Sequence, residues 1–154
     1  MKPFEIKFKH IGEIRHGSPY NLVELSHNAN IKINLKANDD WQDKQSWTRS
    51  GDFVALVKWN FIKGEPGFII ILLDANTGKI TKSSRMLGCC HKIRLSNDLC
   101  LKYQTYTLIS EKNEEKKYGL KDGNIKLNKK KCIFHFIKSK YNLLPKKSHP
   151  ITAP

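Results

Sequence analysis

The chain has 154 residues, the size of one domain that can bury a core without disulfides or a metal. Twenty-eight Lys and Arg against fourteen Asp and Glu give a net charge of +14, which suits a protein that meets anionic surfaces. The longest apolar run, residues 68–73, is too short for a membrane-spanning helix, and the first ten residues lack the apolar stretch of a signal peptide. We therefore expect a soluble cytoplasmic protein that does not enter a membrane.

The N-terminal third contains alternating segments. Residues 3–10 place apolar and charged side chains in turn, which predicts a half-buried strand, and a second short strand is predicted over residues 21–26. Residues 31–35 alternate again as Ile-Lys-Ile-Asn-Leu and predict a third strand. Residues 38–45 are polar around Trp41, which predicts a loop or one helical turn.

Three apolar segments follow, and turns that contain Gly separate them. Residues 53–61 are rich in Val and aromatic residues, residues 68–74 are apolar on both faces, and residues 80–87 are more polar, as near a sheet edge. This unit resembles a propeller blade, but a closed propeller needs about four blades of about forty residues each. We therefore predict twisted antiparallel meander sheets. The predicted core consists of Trp47, Phe53, Ala55, Val57, Phe68, Ile70, Leu72 and Ile80.

Two further hairpins are predicted. The first has Asn97-Asp98 at its turn, and a charged turn follows over residues 111–117. The second has Asp122-Gly123 at its turn, a strong signal for a two-residue hairpin, and joins residues 118–121 to residues 124–128.

The C-terminal segment fits two patterns. Residues 132–144 begin with strand-like alternation, but their apolar positions also fall on one helical stripe that stops before Pro145. We predict a short C-terminal helix, with a strand as the alternative. The expected fold class is mainly β, a twisted antiparallel meander that resembles propeller blades, in one domain over residues 1–145 with a flexible tail over residues 146–154.

The four cysteines give no metal-binding pattern. Their spacing matches no zinc-ligand motif, even when His91 and His135 are included. Without an export signal, reduced thiols are expected, and we predict small buried apolar residues with no metal and no cofactor. These residues are Cys89, Cys90, Cys100 and Cys132.

No catalytic motif is found. The nucleotide-binding, serine-hydrolase and metalloprotease signatures are all missing. His10 or His16 beside a Lys or Tyr could cleave RNA by general acid–base chemistry, but nothing in the sequence sets their geometry. The acidic cluster Asp39, Asp40 and Asp43 lacks the Gly and the terminal Glu of a calcium loop. We predict a protein that is not an enzyme and keep a small nuclease as a third hypothesis.

The positive charge is concentrated near the C-terminus. Residues 116–147 hold eleven lysines and one acidic residue, whereas the rest of the chain holds seventeen basic and thirteen acidic residues. Such a segment attracts polyanions or an acidic protein surface, and a solvated lysine-rich face without a specific role is the alternative. The predicted partner-binding residues are Lys126, Lys129, Lys130, Lys131, Lys138 and Lys140.

Aromatic residues lie among these lysines, which supports nucleic-acid binding as an alternative. Tyr103, Tyr106 and Phe134 could stack on the bases of a single strand while the lysines contact phosphates. The sequence has no RNP motif, and arginine, the usual bidentate reader of phosphate, occurs only four times.

Three stretches carry a resemblance to a known family. They are FKHIGEIRHGSPYNLVEL (residues 8–25), WQDKQSWTRSGDFVALVKW (residues 41–59) and PGFIIILLDANTGKITKSSRMLGCC (residues 66–90). They resemble small bacterial proteins associated with immunity to polymorphic and contact-dependent growth inhibition toxins. The resemblance covers about the first ninety residues and implies a non-enzymatic protein that binds one cognate toxin and blocks its active site. Because this chain is strongly basic, the contacted toxin surface is expected to be acidic.

Overall fold

The computed structural model describes residues 1–13, 21–127 and 134–136, in which eleven strands form two antiparallel sheets. The strand bounds are β1 Ile6–Glu13, β2 Asn21–His27, β3 Trp41–Trp47, β4 Phe53–Trp59, β5 Gly67–Asp74, β6 Ile80–Lys82, β7 Met86–Leu87, β8 Cys89–Leu95, β9 Cys100–Lys112, β10 Glu115–Leu127 and β11 Phe134–Phe136. The predicted mainly-β antiparallel fold is confirmed. In the described part of the chain, no helix has the length and hydropathy needed to cross a membrane.

The first sheet is a meander in which β1 to β6 pair in chain order, and β7 joins the other end of β5. β4 and β5 are its centre, and they pair without a break from Phe53 opposite Asp74 to Trp59 opposite Phe68. Both faces of these strands are buried, which explains their nearly continuous apolar sequence. The prediction of a strand over residues 68–74 that is apolar on both faces is confirmed, and this strand lies between β4 and β6 in the sheet.

The second sheet has the order β11-β10-β9-β8 and packs on one face of the first sheet. The core between the sheets contains Ala55, Val57, Phe68, Ile70 and Leu72 from β4 and β5, together with Cys90, Leu95, Leu99, Leu101 and Ile125. A second core covers the other face of β4 and β5, where Val54, Leu56, Ile71 and Leu73 meet Phe4, Ile6, Val23, Leu25, Trp41 and Ala75.

Five of the eight predicted core residues are fully buried, namely Ala55, Val57, Phe68, Ile70 and Leu72. Trp47, Phe53 and Ile80 are half-buried and pack at the margins of the two cores. The prediction covered the core between the sheets. It omitted the second core, because a strand that is apolar on both faces does not reveal from its own sequence what covers each face.

The predicted strand over residues 31–35 is wrong. Ile31, Ile33 and Leu35 lie in the connection from β2 to β3 and form no ladder; Ile33 and Leu35 are half-buried against the second core. The backbone N–H of Leu25 donates to the carbonyl of Ala37, 3.0 Å away, so the connection is tied to β2 at one point. The alternating sequence of residues 31–35 therefore belongs to a loop that is buried on one side, and not to a strand.

The predicted loop over residues 38–45 is confirmed for residues 38–40 and is wrong from Trp41 onward, where β3 begins. Trp41 is 1% exposed, and its indole N–H donates to the carbonyl of Lys36 at 2.7 Å. Two polar side chains of this strand contact the rest of the protein. Gln42 is buried. The side-chain amide of Gln45 donates to the backbone carbonyl of Ile6 at 3.1 Å. The polar sequence did not predict a strand, because the side chain of Gln45 binds the backbone of a neighbouring strand and that of Gln42 is buried, so neither is free in solvent.

The predicted strand over residues 80–87 is divided into β6 and β7. At the break, the Ser83 hydroxyl accepts from the Ile70 N–H at 2.8 Å, and the Ser83 N–H donates to the Ile70 carbonyl at 2.9 Å. The serine thus replaces one ladder position, so β5 stays paired across the interruption.

The hairpin predicted at Asp122-Gly123 is wrong, whereas the one at Asn97-Asp98 is confirmed. Asp122 and Gly123 lie in the middle of β10, opposite Gln104 and Tyr103 of β9. A Cβ atom at Gly123 would lie 2.2 Å from Cζ of Tyr103, so the tyrosine ring fills the space that a side chain would need. Position 123 is glycine because the Tyr103 ring lies over the backbone there, and not because the backbone turns.

The second sheet also contains the C-terminal strand β11, which pairs Phe134 with Leu127 and Phe136 with Ile125. These three residues follow the strand alternative. The remainder of the predicted C-terminal helix, and the tail over residues 146–154, lie outside the described residues.

Candidate partner-binding surface

Of the six predicted partner-binding lysines, Lys126 lies in the described part of the chain. It is exposed in β10, where its cross-strand neighbours are Cys100 on one side and His135 on the other. The other five, Lys129, Lys130, Lys131, Lys138 and Lys140, lie outside the described residues.

Lys126 shares its side of the second sheet with three cations that the sequence prediction omitted. Directly paired residues of an antiparallel ladder point to the same face, and alternate residues along a strand do so too. Lys92, Arg94 and Lys102 therefore lie with Lys126 on the face opposite the core that contains Leu95, Leu101 and Ile125. All four cations are exposed. We name Lys92, Arg94, Lys102 and Lys126 the basic face.

The cations of the basic face are not neutralised by carboxylates in the described residues. Arg94 is directly opposite Lys102, an arrangement of like charges that destabilises a ladder. Ion pairs in the described residues include Lys7–Glu5, Lys44–Asp43, Lys58–Asp39 and Arg85–Glu65, and none of these involves this face. The surface therefore has an excess of positive charge, with no ion pair to Lys92, Arg94, Lys102 or Lys126 in the described residues.

Two carboxylates border the basic face, and both are already hydrogen-bonded. Asp122 accepts from the Gln104 amide at 3.1 Å. The Asp98 carboxylate accepts from the Ser96 hydroxyl and from the backbone N–H of Cys100, and these bonds lower its pKa, with a smaller contribution from the charge of Lys126. Asp98 thus stays ionised in the turn between β8 and β9 and holds that turn closed.

A groove of about 830 Å³ runs across β8, β9 and β10 beside the edge of β3. Three of its lining residues, Lys92, Arg94 and Lys102, belong to the basic face. On the side near β3, the groove contains the ion pair of Lys44 with Asp43, in which Nζ of Lys44 lies 2.6 Å from Oδ1 of Asp43. The remaining lining residues are Phe8, Gln45, His91, Ile93, Tyr103, Gln104, Asp122, Gly123 and Asn124. The groove is preformed by strands, so an occupant would not need to order a loop.

Farther along the same face, the charged residues give way to an apolar patch. Tyr106 is opposite Leu120, and Leu108 is opposite Tyr118, so the four side chains form a square. The two tyrosine rings stack across the diagonal with centroids 6.1 Å apart and an interplanar angle of 21°. Leu108, Tyr118 and Leu120 are 38%, 53% and 48% exposed. We name these four residues the apolar patch.

Much of the apolar patch lies on a projecting hairpin. Pairing of β8 with β9 stops at Tyr106, whereas pairing of β9 with β10 continues to Lys112 opposite Glu115. The turn between them has Asn113 and Glu114 at φ values of 50° and 66°, the conformation of a tight two-residue hairpin. The turn predicted over residues 111–117 is confirmed, although it is shorter than predicted. We name residues 107–119 the β9–β10 arm.

The aromatic residues proposed for nucleic-acid stacking have different surroundings. Tyr103 points toward the core between the sheets and over Gly123, and burial raises its pKa. Tyr106 points to the opposite face and packs on Tyr118. Phe134 is in β11, and only its pairing with Leu127 is described. The structure thus separates Tyr103 from Tyr106 instead of forming one stacking platform from them.

The described cysteines are not placed for nucleophilic or metal chemistry. Burial raises the pKa of Cys89 to about 11 and that of Cys90 to about 12, so both thiols are protonated at neutral pH. Their burial agrees with the predicted apolar role, while Cys100 is half-buried and Cys132 lies outside the described residues. Within the described residues, no three His, Cys, Asp or Glu side chains are grouped as metal ligands would be.

The candidate acid–base residues do not form a described site. His10 is exposed in β1 opposite Val23, and His16 lies outside the described residues. In the acidic cluster, Asp39 pairs with Lys58 at 2.7 Å and Asp43 with Lys44 at 2.6 Å. The first pair links the β2–β3 connection to β4, and the second joins neighbouring residues of β3.

Comparison with known proteins gave no matching family model, no similar curated protein and no similar solved structure. The surface must therefore be interpreted from its own geometry. One sequence signal could have identified the missed cations, namely the alternation of Lys92 and Arg94 in a strand, followed by Lys102 across the predicted turn.

Proposed function

We propose that the protein is a non-enzymatic immunity protein that binds an acidic surface of a cognate bacterial toxin and occludes its active site. The observation that carries the proposal is the basic face, where Arg94 and Lys102 are held opposite each other with no acidic partner in the described residues. The resemblance of residues 8–25, 41–59 and 66–90 to toxin-immunity proteins supports the same proposal.

The basic face would affect both the rate at which the complex forms and its stability. Two cations directly across a ladder repel each other, so a carboxylate from a partner would relieve a cost that the free protein carries. The field of the whole face would also steer an acidic partner before contact. Arg94 suits this role because its planar guanidinium can bind one carboxylate through two hydrogen bonds.

Occlusion is consistent with the shape of the surface. The basic face and the groove are built on paired strands, and both cores behind them are filled. A rigid face loses little conformational freedom on binding, which favours tight association. The protein would cover the toxin's active site by its bulk, without chemistry of its own. Burial keeps the thiols of Cys89 and Cys90 protonated at neutral pH, so neither offers a thiolate to a partner.

The proposal is tested by co-expressing the protein with the product of the adjoining open reading frame, followed by size-exclusion chromatography at moderate salt. We expect one stable complex, together with restored growth when the neighbouring product alone is toxic. Expression of a toxic neighbour without rescue and without a complex would overturn the proposal.

Nucleic-acid binding is the second candidate, because Lys102, Gln104 and Tyr106 follow one another on the same face as Lys126. It predicts that single-stranded RNA or DNA shifts on titration with the protein, and that the affinity falls steeply as salt increases. A shift that salt does not change would exclude this candidate.

A further inference from the structure

The apolar patch has a position that the proposed function does not yet explain. It adjoins the basic face, because Tyr106 and Leu120 are the next same-face positions after Gln104 and Asp122. Leu108, Tyr118 and Leu120 lie together and are all well exposed, and contiguous apolar patches of this kind on monomers are often functional. The first sheet does not cover it, since the patch is on the face opposite the core between the sheets.

The composition of the patch identifies the chemistry of its occupant. Leucine side chains offer no hydrogen bond to a base and no charge to a phosphate, and the tyrosine rings already stack on each other with centroids 6.1 Å apart. The tip of the β9–β10 arm holds three glutamates and three lysines within residues 111–117, so it adds no net charge. An apolar surface on another protein, beside an acidic one, complements this arrangement.

We infer that the partner of the basic face is a protein whose acidic contact surface adjoins an apolar surface, and that the apolar patch provides most of the lifetime of the complex. This inference rests on the proposed function. The two halves of the surface have separate roles. The basic face accelerates encounter through long-range attraction, and the patch slows dissociation because its aromatic and aliphatic side chains lose water on contact.

The β9–β10 arm makes this division geometrically possible. It extends the outer face past the end of β8, so the patch can contact a partner without displacing strands of the second sheet. Gly119 lies in the arm, and a Cβ there would be 2.2 Å from Cδ1 of Ile109. Ile109 therefore covers Gly119 on the side of the arm opposite the patch.

The test measures association and dissociation rates with the product of the adjoining open reading frame as the probe. In the patch variant, Tyr118→Ser is combined with Leu120→Ser, and Ile62→Ser is the control because Ile62 is 50% exposed in a turn of the first sheet. We expect the patch variant to dissociate at least about thirty-fold faster with an association rate within about two-fold of the wild type. The control should change neither rate. All three residues are exposed, so circular dichroism should show the wild-type fold in every variant. Loss of the cross-strand pairs of Tyr118 and Leu120 should lower the thermal midpoint by only a few degrees.

The possible failures are distinguishable. Wild-type binding with an unchanged dissociation rate in the patch variant would overturn the inference and leave the proposed function standing. No wild-type binding to a neighbour shown to be toxic would overturn both. A wild-type dimer in sedimentation that the patch variant converts to monomer would assign the patch to a second copy of this chain and would also overturn the inference.

Discussion

Replacement of Gly123 by alanine tests whether the second sheet is built as described. The new Cβ would lie 2.2 Å from Cζ, 2.4 Å from the hydroxyl oxygen and 2.6 Å from Cε2 of Tyr103. Ordinary carbon contacts are about 3.5–4.0 Å, so the ring would have to move by more than about 1 Å. Tyr103 also packs against the core between the sheets, which restricts that movement.

The magnitude follows from two opposing effects. Overpacking costs about 1–3 kcal/mol, while removing a glycine from a strand returns about 0.5–1 kcal/mol. Gly123→Ala should therefore lower the free energy of unfolding by about 1–2 kcal/mol. In a Tyr103→Ala background the clash is absent, and the same substitution should stabilise by about 0.5–1 kcal/mol. The coupling free energy between the two positions is then about 2 kcal/mol.

Urea unfolding followed by tryptophan fluorescence at 25 °C measures these four stabilities. If residues 122–123 instead formed the tight turn that their sequence suggests, Gly123 would need a positive φ, and alanine would destabilise equally with or without Tyr103. Equal destabilisation in both backgrounds would refute the reasoning that places Gly123 under the tyrosine ring.

Two further predictions concern the core. Phe68→Ala should lower the free energy of unfolding by about 3–5 kcal/mol, because Phe68 is 0% exposed at the centre of the core between the sheets. Phe61 is 38% exposed and packs its ring on Trp59, so Phe61→Ala should cost about 1–2 kcal/mol. Urea unfolding measures both losses, and equal losses would contradict the packing. Burial raises the pKa of Cys89 to about 11 and that of Cys90 to about 12 from a value of 9.0. As the pH rises, the unfolded chain therefore loses these protons at a lower pH than the folded protein does. The stability that the buried thiols contribute is fully present below pH 9 and should decline from there toward pH 11–12. The decline is measured as the midpoint of urea unfolding between pH 8 and pH 11. In the Cys90→Ala variant this midpoint should fall less with rising pH than in the wild type. The same pH dependence in the variant and the wild type would contradict the burial of the Cys90 thiol.

The elements that the sequence predicted well are those whose cause is local. β4 and β5 are dense in β-branched and aromatic residues, and the turn at Asn97-Asp98 contains residues that favour turns. Residues 31–35 and Gly123 were misread because their patterns have non-local causes. The Ile-x-Ile-x-Leu alternation marks a loop that lies on a core, and the glycine accommodates a ring twenty residues earlier in the chain.

The candidate surface was harder to predict because it depends on register. Arg94 and Lys102 are eight positions apart in the sequence and become direct neighbours only when β8 pairs with β9. The lysine-rich C-terminal run dominated the sequence, but of its predicted binding residues only Lys126 lies in the described part of the chain. The apolar patch combines residues from β9 and β10, the two strands of one long hairpin. The sequence prediction placed a turn at Asp122-Gly123, so it did not give the length of this hairpin.

The measurement that tests the central claim most directly is the association rate with the product of the adjoining open reading frame, at low and high salt. Arg94→Glu with Lys102→Glu is compared with Lys32→Glu and Lys82→Glu, a control of equal charge change at exposed lysines of the β2–β3 connection and β6. The account predicts about tenfold slower association for the Arg94 and Lys102 variant at low salt, a much smaller effect in the control, and convergence of all rates at about 1 M salt. Equal association rates for the two variants at low salt would contradict it.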